Sequence, residues 1–440
     1  MFNVSLKNIN NHVAALSKIG NLGEKLEDGF LRASWSNQES NAMKYIQDAG
    51  EKKGLLATYD AIGNLYLRTP NQAAEIIQIG SHIDTVPKGG MFDGCAGIIA
   101  GLEAILSLQE VWNDLNYALE LVIWRGEESA TYDAMCKGSR AAFGLNEPEI
   151  LQNKFAGKTL ETAIKEQGFD PDFIKYKKPA LSQEHIDSIA AFFEIHIEQA
   201  KSLETNGCDI GVINSVRGST RIRVVVVGEA NHSGGTPMGV EFRKDANLAI
   251  AYMQVELDKL GLQRIAEGMD LVQTVGVVNS DQNYNQHNPQ IFDNALTKVS
   301  PNGYFTIDFR SNVYANLQAH VAAAKDLIKN IASQFDVSVE IHPICDLIPV
   351  EKMDQSFQEL IAKTSTELGY KHQNMTSGAL HDLVVVTSQV KSDGNSIPSA
   401  LIFVPCRDGI SHSHKEYTSP EALHKSSEVL ANALYRICIR

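Results

Sequence analysis

The 440-residue sequence predicts an α/β protein of two domains, a larger discontinuous one built on a mixed sheet and a smaller α+β one inserted into it. Two changes of rhythm along the chain carry this prediction. Helical and strand patterns alternate from about residue 37 to residue 211, a strand-helix-strand-strand-helix-strand order runs from 222 to 344, and the alternation resumes after Glu351. Length adds a third reason, because single cores stop growing well short of this size. The boundaries fall at 1–212 and 347–440 for the larger domain and at 213–346 for the insert.

Apolar residues at helical spacing over 39–52 and 97–108 predict helices, while the apolar runs 75–80, 119–124 and 190–197 predict buried strands. Strands separated by such helices form βαβ units, and hence a mostly parallel stretch of sheet. In the insert, strands are expected at 222–228, 271–278, 303–310 and 337–344, with helices at 244–260 and 317–335. That order is the ferredoxin-like one. A helix at 355–368, a strand at 400–404 and a closing helix at 420–435 return the chain to the first domain.

Apolar residues make up 43% and charged residues 21% of the chain, ordinary proportions that supply ample core. With 39 basic against 53 acidic side chains the formal net charge is −14, which argues against a nucleic-acid or anionic-membrane partner. The first 26 residues contain no continuous apolar segment and no later run reaches transmembrane length, so a cytoplasmic location is expected. Six widely spaced cysteines (Cys95, Cys136, Cys208, Cys345, Cys406 and Cys438) include no Cys-x-x-Cys pair, so neither a thiolate zinc site nor a disulfide framework is expected. Cys95 and Cys406, close in sequence to the candidate ligands below, read as small buried apolar side chains.

Metal-ligating side chains concentrate where the strands end. The run GSHIDTVPKGGMFDG (80–94) places His82, Asp84 and Asp93 in a glycine-rich loop after a strand, and Asp84 is placed to hold the second nitrogen of His82. Strand 119–124 exits into Arg125-Gly126-Glu127-Glu128, whose adjacent carboxylates diverge, so that one can ligate while the other serves as a base. His196 lies near the end of strand 190–197, and strand 400–404 leads to a loop holding His412 and His414. Each feature alone has an ordinary structural explanation. Together, imidazoles and carboxylates at four strand exits suit cations that activate water, and Asp93 is the natural bridge between two of them.

The segments GSHIDTVPKGGMFDG, RGEES with GSRAAFG (138–144), EIHIEQ, GEANHSGGTPM, SGALHD and GISHS resemble, in order and spacing, the hydantoinase/carbamoylase family of dinuclear metal amidohydrolases. That family comprises N-carbamoyl-L-amino-acid hydrolases, β-ureidopropionases and allantoate amidohydrolases, relatives of aminoacylases and metal carboxypeptidases. The resemblance implies a dinuclear-metallopeptidase-like catalytic domain, an inserted lid that makes a homodimer, and two divalent ions per subunit. It implies His82 and His196 as ligands of one ion, Glu128 and His412 as ligands of the other, Asp93 as the bridge and Glu127 as the general base. His232, in Asn-His-Ser-Gly-Gly-Thr-Pro-Met (231–238), is implied to stabilise the developing oxyanion in the partner's site, the alternative being a turn histidine beside Gly234 and Gly235. Arg310 is implied to grip a substrate carboxylate, and Gln199, Gly378 and Ala379 to be further substrate contacts. For Arg310 and Gln199 the alternative is a solvated strand edge.

Four positions depart from the family pattern. Thr220 stands where allantoate hydrolases resemble one another in an arginine, and Lys298 falls near a family asparagine. Ala200 and Leu380 replace glycines and add bulk near the expected pocket. The expected activity is hydrolysis of an N-carbamoyl-L-amino acid, ahead of allantoate, a ureido acid, an N-acyl amino acid or a dipeptide. Zinc, manganese, cobalt and nickel all suit the ligand set. The rivals from other classes are a metal-free binding homologue, which would not need a base beside its ligands, and a serine hydrolase, for which no Gly-x-Ser-x-Gly exists.

Overall fold

A computed structural model of the chain describes residues 1–281 and 293–439. Two compact units emerge, Met1–Asn214 with Lys352–Arg440, and Ser215–Glu351. The first begins with helices α1 (Leu6–Leu16) and α2 (Asn37–Glu51) and strands β1 (Leu56–Tyr59), β2 (Leu65–Arg68) and β3 (Ile76–His82). Then come α3 (Cys95–Ser107), β4 (Ala118–Trp124), α4 (Lys137–Ala142), β5 (Ile189–Ile197) and β6 (Ile210–Val216). The second unit is built from β7 (Gly218–Val227), α5 (Ala246–Ala266), β8 (Val272–Asn279), β9 (Asn302–Ser311), α6 (Tyr314–Gln334) and β10 (Ser338–Leu347). Helix α7 (Gln355–Glu367), β11 (His372–Ser377), α8 (Asp382–Thr387), β12 (Ser399–Val404) and α9 (Pro420–Cys438) complete the first.

Eight strands of the first unit form one sheet in the order β1-β2-β4-β3-β5-β12-β6-β11. At its centre β4 pairs with β3, β3 with β5 and β5 with β12, all parallel. Antiparallel pairs join β1 to β2, β2 to β4 and β12 to β6, so the sheet is mixed and less parallel than the βαβ rhythm alone suggests. The compact units divide at Asn214/Ser215 and Glu351/Lys352, a few residues beyond the boundaries read from rhythm. The reason is pairing: β10 stays registered with β7 as far as Leu347, and Val350 bridges Val216.

Alternation along the central strands decides what each face carries. Ile77, Ile79, Leu121, Ile123, Phe193 and Ile195 pack with α3 and α9 in one apolar core. Helix α3 is buried from Cys95 to Ile105 and apolar except for Glu103, which accepts from Asn8 and pairs with His12, and each of its buried Ile and Leu side chains contributes roughly 1.5–3 kcal/mol. Its approach to β5 depends on Gly97, where a Cβ would lie 2.0 Å from the Ile195 carbonyl oxygen. The alternate positions Gln78, His82, Glu120, Glu194 and His196 are also buried and form the polar face from which the site grows.

In the second unit the sheet order is β8-β9-β7-β10, antiparallel throughout. Ile222, Val224, Phe305, Ile307 and Phe309 pack against Met253 and Leu257 of α5 and Val321 and Ile328 of α6. By alternation Arg221, Asp308 and Arg310 occupy the opposite face. Among the described residues no helix is long and apolar enough to cross a membrane.

Candidate metal centre

The four parallel strands end level with one another. His82 of β3 is registered with Trp124 of β4, and His196 of β5 with Phe403 of β12, so the segments leaving these carboxyl ends meet in one crevice. The loop after β3 turns into α3 through Gly94, which has φ +63° and leaves no room for a Cβ, since one would fall 2.4 Å from the His82 ring. That close approach brings Asp93 over the imidazole, just ahead of the α3 N-terminus, where a carboxylate is favoured.

Asp93 divides its two oxygens between two sets of partners. Its Oδ1 lies 2.9 Å from His196 Nε2 and 3.5 Å from His82 Nε2, while its Oδ2 lies 3.3 Å from His412 Nε2, which in turn is 3.4 Å from Glu128 Oε1. The donor atoms of His82, Asp93 and His196 form one group and those of Asp93, Glu128 and His412 another, each spanning no more than 4.8 Å. Glu127 belongs to neither group; its Oε2 is 3.9 Å from His82 Nε2. The two adjacent carboxylates therefore diverge, Glu128 toward His412 and Glu127 toward His82.

Hydrogen bonds orient the ring nitrogens. His196 Nδ1 donates to the Ile197 carbonyl at 2.9 Å, and His82 Nδ1 faces the Asp84 carbonyl at 3.2 Å and its Oδ1 at 3.3 Å, all acceptors. Both Nε2 atoms thus carry a lone pair beside Asp93 Oδ1, that of His196 also accepting the Gly94 amide at 3.3 Å, and acceptor beside acceptor is relieved by a proton or a cation between them. Asp84 also accepts the backbone N–H of Glu127 and of Glu128, at 3.0 and 3.2 Å, and the Ser34 hydroxyl, so one carboxylate braces His82 and the acidic turn together.

Burial opposes ionisation at Asp93, yet His196, His412 and His82 hold its carboxyl well below the ordinary carboxylate range. Burial also opposes charging of His82 and His196, but Asp84 and Asp93 beside the first, and Asp93 and Glu194 beside the second, raise both imidazoles. Its hydrogen bond with Asp93 raises His412 to about 9. Glu127 and Glu128 are pushed up by burial first and by neighbouring carboxylates next. Four carboxylates and three imidazoles converge here, His412 exposed, Glu127 half-buried and the others buried, and such a donor set fits divalent cations.

The other expected site residues are distributed as follows. Gln199 donates through Nε2 to Asp93 Oδ2 at 2.7 Å and to Ser411 Oγ at 3.2 Å, which ties it to the bridging carboxylate. Gly378 and Ala379 form the turn after β11, closed by the Ser377 hydroxyl, which also lies 2.9 Å from His381 Nε2. The His381 ring sits 4.5 Å from that of His196. His232 and Arg310 belong to the second unit. His232 is exposed in a two-residue ladder opposite Lys298; its Nδ1 accepts the amides of Gly234 and Gly235 at 3.1 and 3.0 Å, which leaves the proton on Nε2. Arg310 directs Nε and Nη2 to Asp308 Oδ2 at 3.1 and 2.9 Å, and Arg221 shares that oxygen at 3.2 Å. Thr220, the departure from an arginine, donates to Asp346.

Several supporting residues were not singled out from sequence. Fully buried Lys137 donates to the Glu128 and Ala134 carbonyls, and Arg125 is paired with buried Glu39, which also accepts the Gly126 amide, so the turn 125–128 is held from both sides. Lys137 lay within reach, just ahead of the GSRAAFG segment. Glu39 offered no sign beyond its place three residues after the α2 cap Ser36.

Comparison with known proteins finds relatives along nearly the whole chain. A model of peptidase family M20/M25/M40 matches residues 78–436. The allantoate amidohydrolase of Bacillus subtilis (strain 168) is 30% identical over 94% of this chain and 94% of its own length. An N-carbamoyl-L-amino acid amidohydrolase of Geobacillus stearothermophilus is 28% identical over 96% of this chain and 97% of its own, so identity does not separate the two substrates. The crystal structure of an amidase of the hydantoinase/carbamoylase family from Burkholderia multivorans superposes with a TM-score of 0.82 at 27% identity, covering 100% of this chain and 99% of that one. By fold, motif order and sequence, the chain belongs to peptidase family M20/M25/M40 and is a hydrolase of its amidohydrolase branch.

Proposed function

We propose that the chain is a two-cation amidohydrolase that cleaves the linear amide C–N bond of an N-carbamoyl-L-amino acid. The observation that carries this reading is the division of Asp93, one oxygen facing His82 and His196 and the other facing His412 beside Glu128. His82, Asp93 and His196 would hold one ion, and Asp93, Glu128 and His412 the other, with zinc, manganese, cobalt and nickel all compatible. Bound cations would supply the positive charge that acidifies water and polarises a carbonyl oxygen.

Glu127 then has a proton to move. Its carboxylate lies beside the ligands but outside both groups, and burial raises its affinity for a proton, as a base working near neutrality requires. It takes the proton of the attacking water and delivers it to the leaving nitrogen, so the balance closes on the amine product. His232, whose Nε2–H is fixed outward by two glycine amides, is assigned the oxyanion of the substrate in the active site of a second subunit of a homodimer. Arg310, with Arg221 beside it on Asp308, is assigned the substrate carboxylate, and Gly378 and Ala379 the backbone contacts. Allantoate is the second reading, supported by the relative of that name.

A panel of N-carbamoyl-L-amino acids, allantoate, ureido acids, N-acyl amino acids and dipeptides, offered to metal-reconstituted protein, tests the assignment. Amidation of the best substrate's carboxylate is expected to lower kcat/KM about 100-fold, roughly 3 kcal/mol, because a charged partner is left unpaired. Arg310→Ala should impose a similar loss on the acid and little more on the amide. Equal hydrolysis of carboxylate-free ureas would make Arg310 structural and the enzyme a broader amidase.

A further inference from the structure

We infer that Glu416 is a positioning residue that clasps the Asp93 loop to the His412 loop and so sets the orientation of the bridging carboxylate. This rests on the two-cation reading above. Glu416 is buried and lies outside both donor groups. Its Oε1 accepts the backbone N–H of Phe92 and of Asp93, each at 2.9 Å, and its Oε2 lies 3.2 Å from Ser411 Oγ. The Ser411 hydroxyl is 2.8 Å from Asp93 Oδ2, and having one proton it donates to the nearer carboxylate. Glu416 therefore holds Asp93 by its own amide on one side, and stands behind the serine next to His412 on the other.

The glycine-rich loop is shaped around this contact. A Cβ at Gly90 would fall 2.3 Å from Glu416 Oε1 and 2.4 Å from its Cβ, so the carboxylate side chain occupies the space that any other residue at 90 would need. Both loops come from strand exits more than 300 positions apart in sequence, and no helix or strand pairing spans Phe92 to Ser411. The clasp supplies what regular structure does not. A site of this kind tolerates only sub-ångström displacement of its ligands.

Glu416→Ala, Glu416→Gln and Gly90→Ala test it by two readouts. In metal-free protein, amide hydrogen exchange at Phe92 and Asp93 is expected to accelerate at least about 10-fold in Glu416→Ala, because both donors lose their acceptor. On titration with zinc or manganese, the weaker of two binding steps should weaken by about 10-fold or more, the range seen when a residue orienting a ligand is lost. Glu416→Gln keeps a carbonyl oxygen for both amides and an NH2 for the serine oxygen, so both readouts should return to within about 3-fold of wild type. Gly90→Ala displaces the side chain without removing it and should reproduce the alanine result, which decides the matter if Glu416→Ala does not fold. Wild-type exchange at 92 and 93 with wild-type affinity in the folded alanine variants overturns the clasp, as does a Gln variant as defective as Ala. A wild-type protein that binds no cation refutes the two-cation reading, while the exchange comparison still judges the clasp.

Discussion

Replacing Glu127 by Gln removes a proton acceptor and leaves the turn that carries it in place. The backbone N–H of residue 127 still donates to Asp84, and an amide fills the volume of the carboxylate. Since Glu127 is in neither donor group, both cations should remain. General-base catalysis contributes about 10²–10⁴-fold, or roughly 3–5 kcal/mol of barrier, so kcat is expected to fall by that factor with KM little changed. Stability should move the other way. Burial, and then Asp84 and Asp93, raise the Glu127 carboxyl against the opposing pull of His82, so the folded chain binds this proton more tightly than the unfolded chain. Such a group lowers stability as pH rises above the ordinary value of 4.5, and a neutral amide escapes that loss. Metal-free Glu127→Gln should therefore unfold at the wild-type temperature or above it at pH 7, with the difference closing toward pH 4. Steady-state hydrolysis, elemental analysis and scanning calorimetry of the one variant read all three effects. Retention of more than about a tenth of kcat, or loss of an ion, would refute the assignment, and Glu128→Gln, expected to lose an ion, is its counterpart.

Two further predictions concern the second unit. If His232 serves a partner's site, randomly exchanged Glu127→Gln and His232→Ala subunits should recover about a quarter of wild-type activity at equal mixing, because half the dimers are mixed and each has one complete site; no recovery despite proven exchange places His232 elsewhere. His320 is buried on α6, donates through Nε2 to Gln273 at 2.8 Å, and is held neutral down to about 4 by burial and by Arg264. Its folded pKa is below the unfolded value of 6.5, so stability is lost as pH falls from 6.5 toward 4, by about 2–3 kcal/mol in urea unfolding, and His320→Gln should flatten that profile.

The parts of the site that were legible in the sequence are those local pattern determines. His82 and His196 close apolar runs that form strands buried on both faces, and an imidazole at such an end has few ordinary uses. Asp93 and His412 could be placed in loops but not oriented, because their directions depend on Gly94 against His82 and on Glu416 across the crevice. The residues Glu127 and Glu128 are interchangeable in sequence; their divergence follows from Asp84 receiving both of their amides. Strand β1 was missed because its four residues are largely exposed, and β2 because a buried run as short as Leu-Tyr-Leu does not by itself mark a strand; β7 begins at Gly218, earlier than expected, because Gly-Ser-Thr has no strand pattern until β9 and β10 pair with it. Buried ion pairs such as Arg125–Glu39 join positions far apart in the chain, and no window of sequence contains both.

The central claim is that Asp93 joins two cation sites, and elemental analysis of stripped and reloaded protein tests it most directly. Wild-type chain is expected to bind two divalent ions and to lose hydrolysis when both are removed. Asp93→Ala, folded and reloaded in the same way, should bind at most one ion and stay inactive. Full activity in rigorously metal-depleted wild type, or two ions retained by Asp93→Ala, would contradict the account.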